Sequence, residues 1–385
     1  MNGSDSVRTR RFAAESASFT VRCPSETIKN AVESLLVDLA EPDHSDADRE
    51  ILIIESDDDQ LSVRIDNGEE YGPRPASAAL AGLVTAVTRL ALDETPDQLH
   101  LHCAALTLDD RGVLISAAAG TGKSTLAAAL IGAGWTYVSD EAVAFGLEVS
   151  MIDGFPKPLM IKPGGGDLVP ELRAARISLA ADDGGWWQVP ASAITTRIAS
   201  RLSPSLIVIL HRQTGGVTTN APVATPLHPV DTVVELMQET MDPERFGPDA
   251  IVALSRLAAR CRCVSLPVGP LVATTALLRE LNQQPLQPLP VRVLDRAERT
   301  EIDEWQPAQH VRSVVVGERV IIHEMLSGSV IALDDAGSAV WRSLHDDSPL
   351  WWTDDMAHSA STMEFLQQLW SIGVMGDEEH ERNFN

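Results

Sequence analysis

Apolar residues recur at helical spacing at Ile28, Val32, Leu35, Leu36 and Leu39 behind a capping Ser25, and this pattern predicts a helix. Before it, Phe19 to Cys23 reads as a strand, and the first 17 residues, polar in character, predict a loose lead-in. The charged stretch 41–49 predicts a loop. Ile51 to Glu55 and Leu61 to Ile65 alternate around the acidic turn Asp57-Asp58-Asp59, the pattern of a hairpin, and Ala76 to Leu92 follows as a helix. Leu99 to Leu106 alternates as a strand, turns at Asp109-Asp110, and returns through Gly112-Val113-Leu114-Ile115. An alanine-rich helical run starts near Leu126, and Gly134 to Glu141 predicts a strand that ends in two acids.

Residues 151–170 are so rich in proline and glycine that no regular element is expected to cross them, and such a loop is placed to close on a substrate. Trp186 to Pro190 reads as a short extended piece that packs. The unbroken apolar run Leu206 to Leu210 predicts a buried strand delivering His211 and Arg212 to its end. Helices at 230–240, 249–260 and 270–282 and a strand at Cys261 to Leu266 complete this region. Gln283 to Pro290, with three prolines and three glutamines, is the best linker in the chain. Short strands at Ser313 to Val316, Arg319 to His323 and Val330 to Leu333 then precede helical patterns at 335–344, 352–358 and 361–372, a compact winged-helix-like module. The tail after Gly376 is polar and reads as disordered.

Composition narrows the picture. A chain of 385 residues exceeds one ordinary core, so two or three domains are expected. The net charge of -25 opposes binding to nucleic acid or an anionic membrane, and any phosphate site must be a local positive island. Lys29, Lys123, Lys157 and Lys162 are the only lysines, and three of them fall within forty positions of one another. Cys23, Cys103, Cys261 and Cys263 lack the pairing of a zinc site and predict buried free thiols. With no signal-peptide pattern and no run of about 18 apolar residues, a cytoplasmic protein is expected.

Chemistry concentrates in one loop, Ser116-Ala117-Ala118-Ala119-Gly120-Thr121-Gly122-Lys123-Ser124-Thr125, between an apolar strand and a helix. Such a loop aims consecutive backbone N–H groups and a helix N-terminus at one spot, where Lys123 can neutralise β and γ phosphates and Ser124 can hold Mg²⁺. Nucleotide binding, ATP or GTP, therefore involves Ala119, Gly120, Thr121, Gly122, Lys123, Ser124 and Thr125. The usual first glycine of the motif is Ala117 here, which requires negative φ at that position. Asp140 and Glu141, at a strand end near the loop, stand where a catalytic base or a metal ligand belongs. Lys157, Lys162 and Arg212 are candidates for binding phosphate or an acidic substrate, with a solvated loop charge as the plain alternative.

His102 before a hairpin, Gly120-Thr121-Gly122-Lys123-Ser124-Thr125 and Ser139-Asp140-Glu141 together resemble the HPr serine kinase/phosphorylase-like family over about 95–282. The resemblance implies ATP and Mg²⁺ as cofactors, Asp140 as the base on an acceptor serine with His102 as its partner, and a metal role for Glu141, where the bacterial enzymes carry aspartate. Cys103 follows His102 where the family usually has glycine, and the glycine-rich signature associated with phosphorylase activity has no convincing copy. His100 takes at most a minor role. The segment around Val320-Ile321-Ile322-His323-Glu324, Gly328 to Asp334 and Ala339-Val340-Trp341 resembles a PqqD-type peptide-binding domain over about 305–376, which implies recognition of a leader peptide by strand addition.

These readings combine into an α/β protein. An N-terminal α+β lobe (18–94) precedes a mixed-sheet P-loop kinase domain of the HPr kinase type (95–282), followed by a linker (283–304) and a winged-helix-like α+β domain (305–376). The expected activity is ATP-dependent phosphorylation of a hydroxyl, serine by the resemblance, on a ribosomally made precursor peptide. A small-molecule kinase and a non-catalytic, nucleotide-gated peptide chaperone are the alternatives. Hexamers occur in the resembling kinase family, but no residue here specifies an assembly, so a homo-oligomer stays open.

Overall fold

The computed structural model describes residues 6–14, 17–42, 47–56, 58, 60–68, 70–177, 186–213, 221–241, 243–294, 307–345 and 360–375. The expected helix at 352–358, the tail after Gly376 and the acidic positions Asp57 and Asp59 lie outside them. The fold is mixed α/β, and its contacts divide the chain into two compact units. One comprises residues 1–146, 150–225 and 264–285, the other 147–149, 226–263 and 286–385.

In the first unit a sheet forms from the N-terminal segment, with Ala17–Cys23 parallel to Arg49–Glu55 and the helix Glu26–Leu35 between them in sequence. Ser25 caps that helix as expected, accepting from the Ile28 N–H. The lead-in differs from expectation: Val7–Arg8 and Phe12–Ala14 both pair with the Ala17–Cys23 strand. Phe12 is fully buried and its ring lies 5.6 Å from that of Phe19, so one aromatic in a polar stretch suffices to anchor it. The helix Ala76–Asp93 is long and apolar enough to cross a membrane by composition, contrary to the expectation that no such run exists. Leu80, Leu83, Val84, Val87 and Leu90 are buried in the protein, however, which is the reason for its apolarity.

The second sheet of this unit begins in the order Thr136–Ser139, Cys103–Leu108, Arg111–Ser116, Pro204–His211 and Arg262–Pro267, the fifth strand entering the unit at Val264. Arg111–Ser116 pairs antiparallel with Cys103–Leu108 and parallel with Pro204–His211. Leu202 and Ser203, just before Pro204–His211, come close enough at Gly112 that a Cβ there would meet the Ser203 carbonyl at 2.7 Å, which is why glycine stands at this point. The helix Lys123–Gly132 packs on the sheet through Leu126, Ala127, Leu130 and Ile131.

The expected single strand Leu99 to Leu106 is broken at His102. Leu99–Leu101 pairs with Val143–Phe145 in one sheet, whereas Cys103–Leu108 belongs to another. Regular structure also crosses 151–170, as the strands Ile152–Gly154 and Leu159–Ile161 and the turn Pro163–Gly166. Leu159–Ile161 is held by pairing with Trp187–Val189, a long-range partner that outweighs the local proline and glycine content.

In the second unit an antiparallel sheet runs Val291–Leu294, Val311–Val316, Arg319–Glu324, Ser329–Ala332. Its first strand lies inside the stretch expected to be linker. Val315, Val320 and Ile322 join Trp341, Leu366 and Leu369 from the helices Asp335–Ser343 and Ala360–Ser371 in one core. The alternate residues Val314, Val316 and Ile321 are also buried. The helices Pro229–Gln238 and Asp249–Ala259, read from the sequence as part of the kinase region, contact these strands and belong to this unit. Strands buried on both faces account for the near-continuous apolar runs of this segment. Arg319 clasps Asp231 of the first of those helices through two hydrogen bonds, 2.7 and 2.9 Å long. All four cysteines are buried and none forms a disulfide.

Candidate active site

The glycine loop leaves the buried strand Arg111–Ser116 and reaches the helix at Lys123. Gly120 and Gly122 sit at φ 81° and 124°, values that side-chain-bearing residues rarely adopt. Ala117 is absent from the positive-φ residues and its methyl is in the core, so the missing first glycine of the motif is no obstacle. Gly122 is the N-cap residue and has no side chain to cover the first turn, leaving those N–H groups to an incoming anion.

Beside the loop, two chain segments change sheets together. Ser139 pairs with Ala105, and Val143 pairs with Leu101. Between these pairs both strands are interrupted, and the interruptions hold His102 on one segment and Asp140-Glu141 on the other. A strand locks each side chain into alternation, so a break at this position frees three polar residues to point toward the loop. His100, still within its strand, is buried, and its Nε2 lies 2.8 Å from Thr95 Oγ1, a structural contact.

The loop, His102, both acids, Lys157, Lys162 and Arg212 all line one cavity of about 780 Å³, so every sequence-predicted site residue comes together in it. Lys123 Nζ lies 2.8 Å from His102 Nε2. Arg212 donates to the Gly120 carbonyl at 2.9 Å, bracing the loop. Lys162 Nζ lies over the Trp186 ring at 5.2 Å. Trp186 is 48% exposed and lines the cavity, while its neighbour Trp187 is buried, so the pair read as packing divides into one packing residue and one cavity residue.

Lys157 is neither a solvated loop charge nor free to reach a substrate. Its side chain is 1% exposed, and Nζ lies 2.6 Å from Asp140 Oδ1 and 2.9 Å from Glu141 Oε2. Nζ also donates to the Pro158 carbonyl, and the Lys157 carbonyl accepts from Tyr137 Oη at 2.8 Å. The Lys157 ammonium holds the Glu141 carboxyl below the usual glutamate range against the opposing effect of burial, and His102 and Lys123 act in the same direction. Burial works to lower the Lys157 pKa, but the charges of Asp140 and Glu141 outweigh it and the value is raised, so the group stays an ammonium at neutral pH. Burial, then the Asp140 charge, pushes the Tyr137 hydroxyl well above its ordinary range, so it acts as a donor. The sequence offered one signal for this arrangement, the scarcity of lysine outside the region.

Among the described residues no cluster of three or more His, Cys, Asp or Glu side chains forms a self-sufficient metal site. The donor set instead fits a metal carried by phosphates. Ser124 supplies a hydroxyl at the helix start, and Glu141 keeps a carboxylate in the same cavity, hard oxygen donors of the type Mg²⁺ takes alongside phosphate and water.

No sequence-family profile matches the chain, and no curated protein does. Among solved structures 45 chains match. One is the HPr(Ser) kinase/phosphatase from Coxiella burnetii, at 17% identity and a TM-score of 0.28 over 47% of this chain and 88% of that one. An overlay that loose transfers no residue role, and the case for the site rests on its own geometry.

Proposed function

We propose that the chain is an ATP-dependent phosphotransferase whose acceptor is a hydroxyl, serine in the favoured reading, on a ribosomally made peptide held by the second unit. The observation that carries this reading is the meeting of the uncapped glycine loop, Lys123 and the Asp140–Glu141 pair in one cavity. Phosphoryl transfer asks for little else: a cradle for the phosphates, cations to spread charge, and a carboxylate to receive the acceptor proton. In the step, the acceptor oxygen forms a bond to the γ-phosphorus and the bond from that phosphorus to the β-γ bridging oxygen breaks. The proton passes to Asp140, and ADP leaves.

Lys123 neutralises the phosphates from the loop side, and His102 holds its ammonium in place. Arg212 holds the Gly120 carbonyl of the loop through a hydrogen bond. Lys157 fixes Asp140 through their ion pair. Mg²⁺, when bound with the nucleotide, would be held by Ser124 and Glu141 and would supply charge neutralisation on the phosphate oxygens.

Support for a peptide acceptor comes from the second unit. Ser329–Ala332 is an edge strand, and beside it a groove of about 510 Å³ is lined by Val234, Met237, Met325, Leu326 and Val330, with Leu326 67% exposed. An extended peptide can add to such an edge and place side chains in such a groove. One chain carrying both units raises the acceptor's effective concentration.

The test is incubation with ATP, Mg²⁺ and the peptide encoded beside the gene, read by mass spectrometry. A gain of one phosphate is expected with wild type and none with Asp140→Asn, which retains nucleotide affinity. Turnover of a metabolite without any peptide phosphorylation overturns the peptide reading in favour of a small-molecule kinase. Equal loss of nucleotide binding and transfer in Asp140→Asn removes it from the role of base.

A further inference from the structure

Two carboxylates on consecutive residues, one of them buried, require a cation between them, and in this chain the cation is part of the protein. Lys157 Nζ forms ion pairs with Asp140 Oδ1 at 2.6 Å and Glu141 Oε2 at 2.9 Å, and donates a hydrogen bond to the Pro158 carbonyl at 3.1 Å. The backbone of the same residue is fixed from both sides, its N–H by the Phe155 carbonyl at 2.8 Å and its carbonyl by Tyr137 Oη. A divalent ion shared by those two carboxylate oxygens would sit about 2.0–2.1 Å from each, which is the space the ammonium fills. The two cations exclude one another. Withdrawing Lys157 would also strand a buried ammonium away from its partners.

We propose that Lys157 is the resident counter-cation of the Asp140–Glu141 pair and closes the space between the two carboxylates to a metal in the nucleotide-free protein, so that a divalent ion enters this site only together with nucleotide phosphates. Lys157 is thus a positioning residue that holds the acid pair ready without a metal. The inference deepens the phosphotransfer reading and rests on it for its purpose, while its test needs no acceptor and no phosphoryl transfer.

The test is a Mn²⁺ titration of the nucleotide-free full chain, followed by electron paramagnetic resonance and calorimetry. Wild type and Lys157→Arg are expected to show no saturable site, and adding a non-hydrolysable ATP analogue to wild type creates one. Lys157→Ser, which uncovers two carboxylate oxygens and removes a positive charge, is expected to gain a nucleotide-independent site, roughly tenfold or more tighter than any wild-type binding. Asp140→Asn placed in that variant removes the site again. If Lys157→Ser is too unstable to isolate alone, Mn²⁺ is expected to raise its melting temperature and leave that of wild type unchanged.

A nucleotide-free wild-type site that Asp140→Asn abolishes overturns the proposal. So does a Lys157→Ser chain that Mn²⁺ neither loads nor stabilises. Absent phosphoryl transfer combined with the expected metal pattern would instead sink the kinase reading and leave the counter-cation in place, so the two failures are separable.

Discussion

At the scale of single residues, the site is decided by the electrostatics of Lys157. Breaking a buried ion pair by removing one partner typically costs about 3–5 kcal/mol, and the Lys157 and Asp140 side chains are each 1% exposed. The pH dependence has a definite sign. Glu141 is lowered in the fold, so its contribution to stability is complete above the unfolded value of about 4.3 and is lost as pH falls through the folded value. Lys157 is raised, so its contribution is complete below the unfolded value of about 10.4 and is lost as pH rises through the folded value. A plateau between these windows is expected for wild type. In Lys157→Met the Glu141 carboxylate loses the cation that holds it low and burial then favours its protonation, so the melting temperature should rise on acidification from neutral pH. A variant whose melting temperature falls in parallel with wild type would show that the ammonium is not what stabilises the acids.

Secondary-structure elements were legible where their pattern is local. The Ser25-capped helix, the hairpin at 49–65 and the buried strand ending at His211 follow from periodicity and capping. The crossing of 151–170 did not, because Leu159–Ile161 is a strand only by virtue of Trp187–Val189, far along the chain. The break at His102 was hidden for a similar reason: alternation continues through it, and only the change of partner strand reveals it. The turn Pro163–Gly166 carries a packing demand of its own. A Cβ at Gly166 would overlap the Trp187 ring, and one at Gly165 would press on Thr125 Oγ1 at the start of the loop helix. Gly166→Ala is expected to cost about 1–3 kcal/mol by overpacking. Chemical denaturation reads that loss directly, and an unchanged midpoint would mean that the ring moves aside freely.

For the whole molecule, the sequence displayed the mixed α/β class and the chemistry of the loop, but contacts rather than chain order define the two units. Nothing in the helical patterns at 229–238 and 249–259 announced that they pack with strands some thirty or more residues later, since an apolar face does not name its partner. That arrangement predicts the outcome of a truncation. Ending the chain before Val291 removes the sheet that covers both helices and should expose their buried Val230, Val233, Ile251 and Leu254. Increased binding of a hydrophobic dye and aggregation are expected. A shortened chain as soluble and dye-silent as the full one would show that these helices do not depend on the sheet.

The buried cysteines have a practical consequence. Burial pushes the Cys23 and Cys263 thiols up to about 12 and Cys261 well above its usual range, so none of these presents a thiolate at neutral pH, and Cys103 is enclosed as well. The folded protein is therefore a quiet background for maleimide chemistry. A cysteine introduced at Trp186 would be its lone accessible attachment point, ready to carry a fluorophore that reports when the cavity fills.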